Sequence, residues 1–386
     1  MLTGDACLGN RLRGLEMPAK KPTPGGYDYY ILIPALLLFG LGLVAIYSAS
    51  SYIAAHRLGD SYFYLKRQAF FGLLGLSLLI MARYIPVSLY RKLVYPILFI
   101  SLALLGVLFF PGVGKKVGGA CRWLNLAGFS LQPSEVAKLS LAVYIAYSMS
   151  KKGADMSKFS KGLLPHVIIV GAFMVLILLQ PDLGTTVILG CWLMILLFIG
   201  GLSLMQLISM LLVALPLMLW LVWKADYRLK RWWAFINPWD DPQGLGFQII
   251  HSFLAFGSGG IFGVGLGNSK QKLLYLPEPH TDFILSILAE ELGLLGITAI
   301  IALFAVLIMR GIKVALRAQD LFSTYLALGI IILIGLQVLI NMGVVVGLLP
   351  TKGLTLPLLS YGGSSLVVNF IGAKGSRPIP VRDPVA

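Results

Sequence analysis

Four carboxylates crowd one short stretch, LPEPHTDFILSILAEELG, at Leu276–Gly293. Glu278, Asp282, Glu290 and Glu291 stand at the head of an apolar run that continues to Met309. Carboxylates in a membrane segment are costly and point to function by default. A helix opening after Pro279 takes Thr281 as its N-cap, and its positive end favours an ionised Asp282 in the first turn. There Asp282 can serve as a general base, with plain helix capping as the alternative. Glu290 lies eight residues on, about 12 Å deeper and roughly 80° round the helix. It cannot act on the same atom as Asp282, and its expected partner is a buried cation. Glu291 falls almost opposite Asp282.

Cations that could meet such an acid lie in other blocks. In KKVGGACRWLNLAGFSLQPSEVAKL, Arg122 carries a guanidinium suited to phosphate, and Trp123 is an interfacial anchor. QPSE opens a helix, with Pro133 at the first position and Glu135 in the first turn. Glu135 and Lys138 share a face at i, i+3, as a functional pair or as a self-neutralising one. In QPDLGTT, Asp182 is equally a cap or a catalytic acid. Lys352, in GLLPTKGLTLPLLSYGGSS, either snorkels to head groups or holds a diphosphate as a point charge. GSGGIFGVGLG lacks the strand–turn–helix setting of a phosphate loop, so close packing of re-entrant backbone reads better. Cys7, Cys121 and Cys191 have neither metal spacing nor an even disulfide framework.

The elements that must position these groups are membrane helices. Of 386 residues, 58% are hydrophobic and 12% charged, against about 25% charged in soluble domains, and the mean hydropathy is +0.87. The expected fold is an all-α polytopic membrane protein of ten transmembrane helices. The apolar segments are 29–50, 68–82, 93–110, 132–149, 164–180, 184–200, 203–223, 281–309, 321–349 and 356–372. The tenth is short: SLVVNFIG gives way to the charged, proline-rich AKGSRPIPVRDPVA. Residues 1–28 form a tail with a second possible start at Met17, 29–372 the membrane domain with a large loop at 224–280, and 373–386 a second tail. Lys and Arg are denser on the side of both tails, including Arg91, Lys92, Lys151, Lys152, Arg310 and Lys313. This bias puts both termini in the cytoplasm and Asp282 at the outer boundary. The net charge of +15 fits anionic lipid or phosphorylated substrates, and scattered charge in a membrane protein argues against nucleic acid.

Taken in order, GGACRWLNL with LQPSEVAKL, QPDLGTT, FGSGGIFGVGLGNSKQKLLYLPEPHTDFILSILAEELG and GLLPTKGLTLPLLSYGGSS resemble the SEDS family of cell-wall polymerases, from about Tyr29 to Phe370. The KGLTLPLLSYGGSS form is more similar to the division branch than to the elongation branch. The resemblance implies a glycosyltransferase of the bacterial inner membrane at the septum. It would join lipid II into strands, moving an undecaprenyl-diphosphate-linked glycan onto the 4-hydroxyl of the acceptor. It makes Asp282 the essential acid and gives Arg122, Trp123, Glu135, Lys138, Glu290, Lys352 and Ser360 to the substrate cavity. It implies a class B penicillin-binding transpeptidase and other division-complex membrane proteins as partners. A divalent cation, Mg2+ or Mn2+, is the one cofactor the chemistry leaves room for; no organic cofactor is expected. A lipid II flippase, an elongation-type polymerase and an idle scaffold for the transpeptidase remain rival readings. The flippase is disfavoured by the lack of paired, interrupted helices in two matching halves.

Overall fold

The computed structural model describes residues 28–82, 84–117, 120–126, 129–272 and 280–373. The tails with Cys7 and Met17, and the acid Glu278, lie outside them. Long apolar runs with intact backbone hydrogen bonding fold as helices, because lipid offers no other partner for N–H and C=O groups. In chain order these are α1 (Tyr29–Leu58), α2 (Phe63–Ala82), the short α3 (Val87–Lys92) and α4 (Val94–Val107). After a loop come α5 (Pro133–Lys152), α6 (Leu164–Leu179), α7 (Leu183–Ile199) and α8 (Leu204–Trp223). The large loop contains α9 (Asp226–Ile236) and α10 (Phe247–Gly259), and α11 (Ile284–Leu316), α12 (Leu321–Val345) and α13 (Gly363–Ala373) complete the set. A helix lies over each of the ten apolar segments, and among the described residues six helices are long and apolar enough to cross a membrane.

The expectation of an all-α chain needs one correction. Between α4 and α5 the chain forms a three-stranded antiparallel sheet, β1 (Gly114–Val117), β2 (Ala120–Leu126) and β3 (Phe129–Leu131), in the order β1-β2-β3. Arg122 and Trp123 therefore sit on a strand.

α12 is the central post. One face packs Leu326 and Leu333 into a core with Leu141, Phe173 and Trp192, and the Trp192 indole donates to the Gly329 carbonyl at 2.7 Å. Another face packs Ile334 and Val338 with Leu38 and Ile46 of α1, Leu288 and Phe304 of α11, and Leu359. Of the most apolar 18-residue window in each long helix, 61% is buried in α12 and none in α8. Ion pairs sort the loops by side. Arg310 pairs with Asp28 at 2.8 Å and Arg91 with Asp320, which puts the start of α1, the α3 region and the α11–α12 loop on one face.

The second correction concerns the acidic helix. α11 is broken at Gly293 (φ +66°, ψ −166°), a conformation essentially restricted to glycine. The half-helix Ile284–Leu292 is thus separate from Leu294–Leu316. The interrupted ladder is repaired by the glycine-rich loop. Val264 and Gly265 N–H donate to the Glu290 and Glu291 carbonyls at 2.9 and 3.1 Å, and Leu294 and Leu295 N–H to Gly260 and Ile261 at 2.9 and 3.2 Å. A side chain at Gly263 would overlap the Glu291 carbonyl. Re-entrant backbone packing is what GSGGIFGVGLG does here, and an interrupted helix, absent from the sequence reading, is present.

Candidate functional site

Three segments distant in sequence meet beside Asp282. The α6–α7 turn is set by Asp182, the N-cap of α7: its carboxylate accepts from the Thr185 N–H at 3.1 Å and the Thr185 hydroxyl at 2.9 Å. Behind this cap Gly184 lies against Leu354, which brings the α12–α13 loop over the start of α7. The third segment is the turn His280–Phe283. Asn341, on the buried side of α12, donates to the Asp282 carbonyl at 3.0 Å and to the Leu354 carbonyl at 2.6 Å. One amide thereby ties the acid's turn to the lysine's loop. A Cβ placed on Gly353 would lie 3.2 Å from Asp282 Oδ2, so the carboxylate reaches the residue next to Lys352. Burial pushes the Lys352 ammonium below its ordinary pKa, opposed by Cys191 and Asp182.

α2 forms the wall beside this turn. The His280 ring packs on Tyr64 and Tyr361, with centroids 4.3 and 5.5 Å away, and its carbonyl accepts from the Tyr361 N–H at 2.9 Å. Its Nδ1 is buried with no hydrogen-bond partner, and burial lowers its pKa to about 4. Gln68 holds both sides of Tyr361, donating to the Ser360 carbonyl and accepting from the Gly362 N–H, each at 3.2 Å. Below it, Phe70, Phe71, Leu131, Leu139, Val367 and Val368 line an almost wholly apolar cavity of about 500 Å³ between α2, α5 and α13.

The structure gives several expected site residues other work. Thr281 is not the N-cap of α11; the helix starts at Ile284 after Phe283, without a side-chain cap, because Asp282 belongs to the preceding turn. Among the described residues Glu290 pairs with no cation. It accepts from the Ser269 hydroxyl and from the Lys270 and Gln271 N–H groups at 3.1 and 3.3 Å. The cation goes to its neighbour, with Lys272 pairing Glu291 at 3.0 Å. The Ser360 hydroxyl accepts from the Leu356 N–H at 2.9 Å and shapes the LPLLS turn. Arg122 donates to the Gln180 carbonyl at 3.2 Å and to that of Pro181, satisfying the free end of α6. Trp123 is half-buried opposite Lys115 in the sheet. Glu135 and Lys138 form a closed pair at 2.7 Å, both buried. Pro133 and Glu135 open α5 as expected. Among the described residues no three His, Cys, Asp or Glu come together as a metal site. Asn341 and the α2 residues were missed; the visible signal was an amide inside an apolar helix, GLQVLINMG.

The arrangement has known counterparts. The profile of the cell cycle protein family of FtsW, RodA and SpoVE matches residues 29–374. The chain belongs to this family. A relative in Geobacter sulfurreducens, named a probable peptidoglycan glycosyltransferase FtsW, is 48% identical over 344 residues, 89% of this chain and 92% of its own. Stage V sporulation protein E of Bacillus subtilis is 42% identical over 91% of this chain and 95% of its own. Among solved structures, a FtsW/RodA/SpoVE-like fold appears in one described as structural coordination of polymerization and crosslinking by a peptidoglycan synthase complex. It is 29% identical, with a TM-score of 0.75, and the match covers 90% of this chain and 96% of that one. The rod shape determining protein RodA of Thermus thermophilus superposes with a TM-score of 0.67 at 28% identity, over 91% of this chain and 96% of its own.

Proposed function

We propose that this chain is a division-type peptidoglycan glycosyltransferase that polymerises lipid II at the outer face of the bacterial cytoplasmic membrane. The observation that carries the reading is the meeting of Asp282 with the Lys352–Gly353 loop, held by Asn341. The names of the FtsW relatives support the activity and the division role. Ten membrane spans, both termini in the cytoplasm and a location at the septum complete the reading. Residues 29–372 act as one membrane domain between two tails. The peptidoglycan synthase complex supports a class B transpeptidase as partner, with other division membrane proteins around the pair.

The donor is linked to its diphosphate in the α configuration and the product bond is β, so one attack from the opposite face suffices. Asp282 takes the proton of the acceptor 4-hydroxyl as its oxygen bonds to the donor's anomeric carbon. The carbon–oxygen bond to the diphosphate breaks, and the electron pair leaves with undecaprenyl diphosphate. Such proton transfer is worth about 10²–10⁴-fold. Lys352 places positive charge where leaving-group charge develops. Its partial desolvation strengthens that attraction. The apolar cavity between α2, α5 and α13 suits an isoprenoid chain. Arg122, Trp123 and the Glu135–Lys138 pair support the site's walls rather than hold free charge for substrate. With no described cage of ligands, a divalent cation would rest on Asp282 and the substrate's own phosphate oxygens, where it would offset diphosphate charge.

The test is polymerisation of purified lipid II by the chain with its transpeptidase, wild type beside Asp282→Asn. Long strands from the wild type and none from an equally folded variant support the assignment. Equal strands from both would remove Asp282 from the chemistry.

A further inference from the structure

The half-helix behind Asp282 has no helical continuation. Gly293 cuts it from the rest of α11, and at the break the two parts are joined through the 260–265 loop, so its placement depends on what that loop and its neighbours hold. Its head is held by Asn341. Its tail ends in two adjacent buried acids, both gripped from the loop that precedes the turn. Glu290 takes the Ser269 hydroxyl and two backbone N–H groups. Glu291, 1% exposed, takes the Lys272 ammonium at 3.0 Å and the Ser48 hydroxyl of α1 at 2.5 Å. Lys272 spends its donors on Glu291, on Ser48 at 3.0 Å and on the Gly267 carbonyl at 2.6 Å. The cluster thus joins three parts of the chain at the tail of the half-helix. An ion pair buried this deeply adds little net stability over an apolar pair of the same size, because desolvation offsets the attraction. Its geometry is nevertheless specific, with every ammonium donor aimed.

We propose that Lys272, Glu291 and Ser48 are positioning residues that fix the half-helix against α1 and thereby hold Asp282 at its working place. This rests on Asp282 being the base. A displacement of about 1 Å at a reacting group costs about 10²-fold in rate, so a cluster that adds little stability can decide the rate.

The experiment pairs Lys272→Met with Glu291→Leu in the full chain with its transpeptidase. Polymerisation kinetics, thermal midpoint and a cross-link are measured. The cross-link reports position without catalysis: Asp282→Cys with Gly353→Cys, in a background where Cys7, Cys121 and Cys191 are serine, oxidises readily when the turn is in place. The expected result is an unchanged midpoint, a fall in kcat of about 10²-fold with KM unchanged, and a lower cross-link yield. Wild-type kcat and cross-linking in the double variant would overturn the proposal. Should that variant fail to fold, Ser48→Ala removes only the hydroxyl by which α1 reaches Glu291. A several-fold loss of kcat at constant midpoint supports the proposal, and wild-type kcat there overturns it. A lost cross-link together with full activity of Asp282→Asn would leave the positioning role standing and refute the base.

Discussion

Replacing Gly293 by alanine tests the re-entrant architecture most directly. Two penalties add. The backbone angles, φ +66° and ψ −166°, lie where a Cβ is strained by about 1–3 kcal/mol. The new methyl would also stand 2.6 Å from the Ile261 carbonyl oxygen. That atom cannot swing away, because it accepts the Leu295 N–H, and overpacking of this kind costs about 1–3 kcal/mol. The sum is about 2–6 kcal/mol. Gly267→Ala is the control. It too has positive φ, +82°, but a Cβ there meets nothing within 4 Å, so only conformational strain of about 1–2 kcal/mol applies. A chain of this size loses roughly 1–2 °C of melting temperature per kcal/mol. Thermal midpoints at one scan rate and in one detergent should therefore fall by roughly 5 °C for Gly293→Ala and roughly 2 °C for Gly267→Ala. Strand synthesis should fall with the first and survive the second. Equal midpoints for the two variants, or a fully active Gly293→Ala, would show that the break and its glycine-lined seam do not constrain the half-helix.

Two further outcomes follow from the site. Lys352→Met should lower strand synthesis by at least about 10²-fold. Lys352→Arg should retain part of the rate and lose activity at higher pH than the wild type, because burial depresses the lysine while a guanidinium stays charged; an alkaline limb unmoved in the arginine variant would contradict this. His280 has a folded pKa of about 4 against 6.5 unfolded, so the unfolded chain binds the extra proton between these values. Its contribution to stability is complete above pH 6.5 and is lost as pH falls toward 4, by about 3 kcal/mol at one pKa unit per 1.36 kcal/mol. His280→Phe should flatten the acid side of the midpoint-against-pH curve in that window, and an unchanged slope would refute the assignment.

The spans were legible because a bilayer leaves a run of LLLFGLGLVAI or IIALFAVLIM no other structure. Asp182 and Pro133 announced helix starts by residue type alone. The break at Gly293 was not legible, since glycine inside an apolar run is ordinary in membrane helices. It depends on the loop at 260–265 offering its own backbone from some thirty residues away. The choice between Glu290 and Glu291 for the cation was hidden for the same reason. The two differ by about 100° of rotation, and only the course of the Gly267–Lys272 loop decides which faces Lys272. The sheet at 114–131 was lost among glycines and short strands. Lys352 and Asp282 could be placed on one side of the membrane by charge bias, but their meeting needed Asn341, an amide that stands out in its apolar helix while its partners are set only by the fold.

α8 buries none of its most apolar window, although Trp220, Trp223, Trp232, Trp233 and Trp239 cluster at its end and just beyond, all exposed. Its sequence is therefore answerable chiefly to lipid, apart from Leu207 and Met210 packed against the core and Gln206, which donates to the Ser157 carbonyl at 3.1 Å. Substitutions that keep it greasy should be silent along its length outside Gln206, Leu207 and Met210, as they cannot be along α12. An attached dye or fusion would be tolerated on its lipid-facing side, and lateral sliding of this helix would break only the few contacts at its start, those of Gln206, Leu207 and Met210.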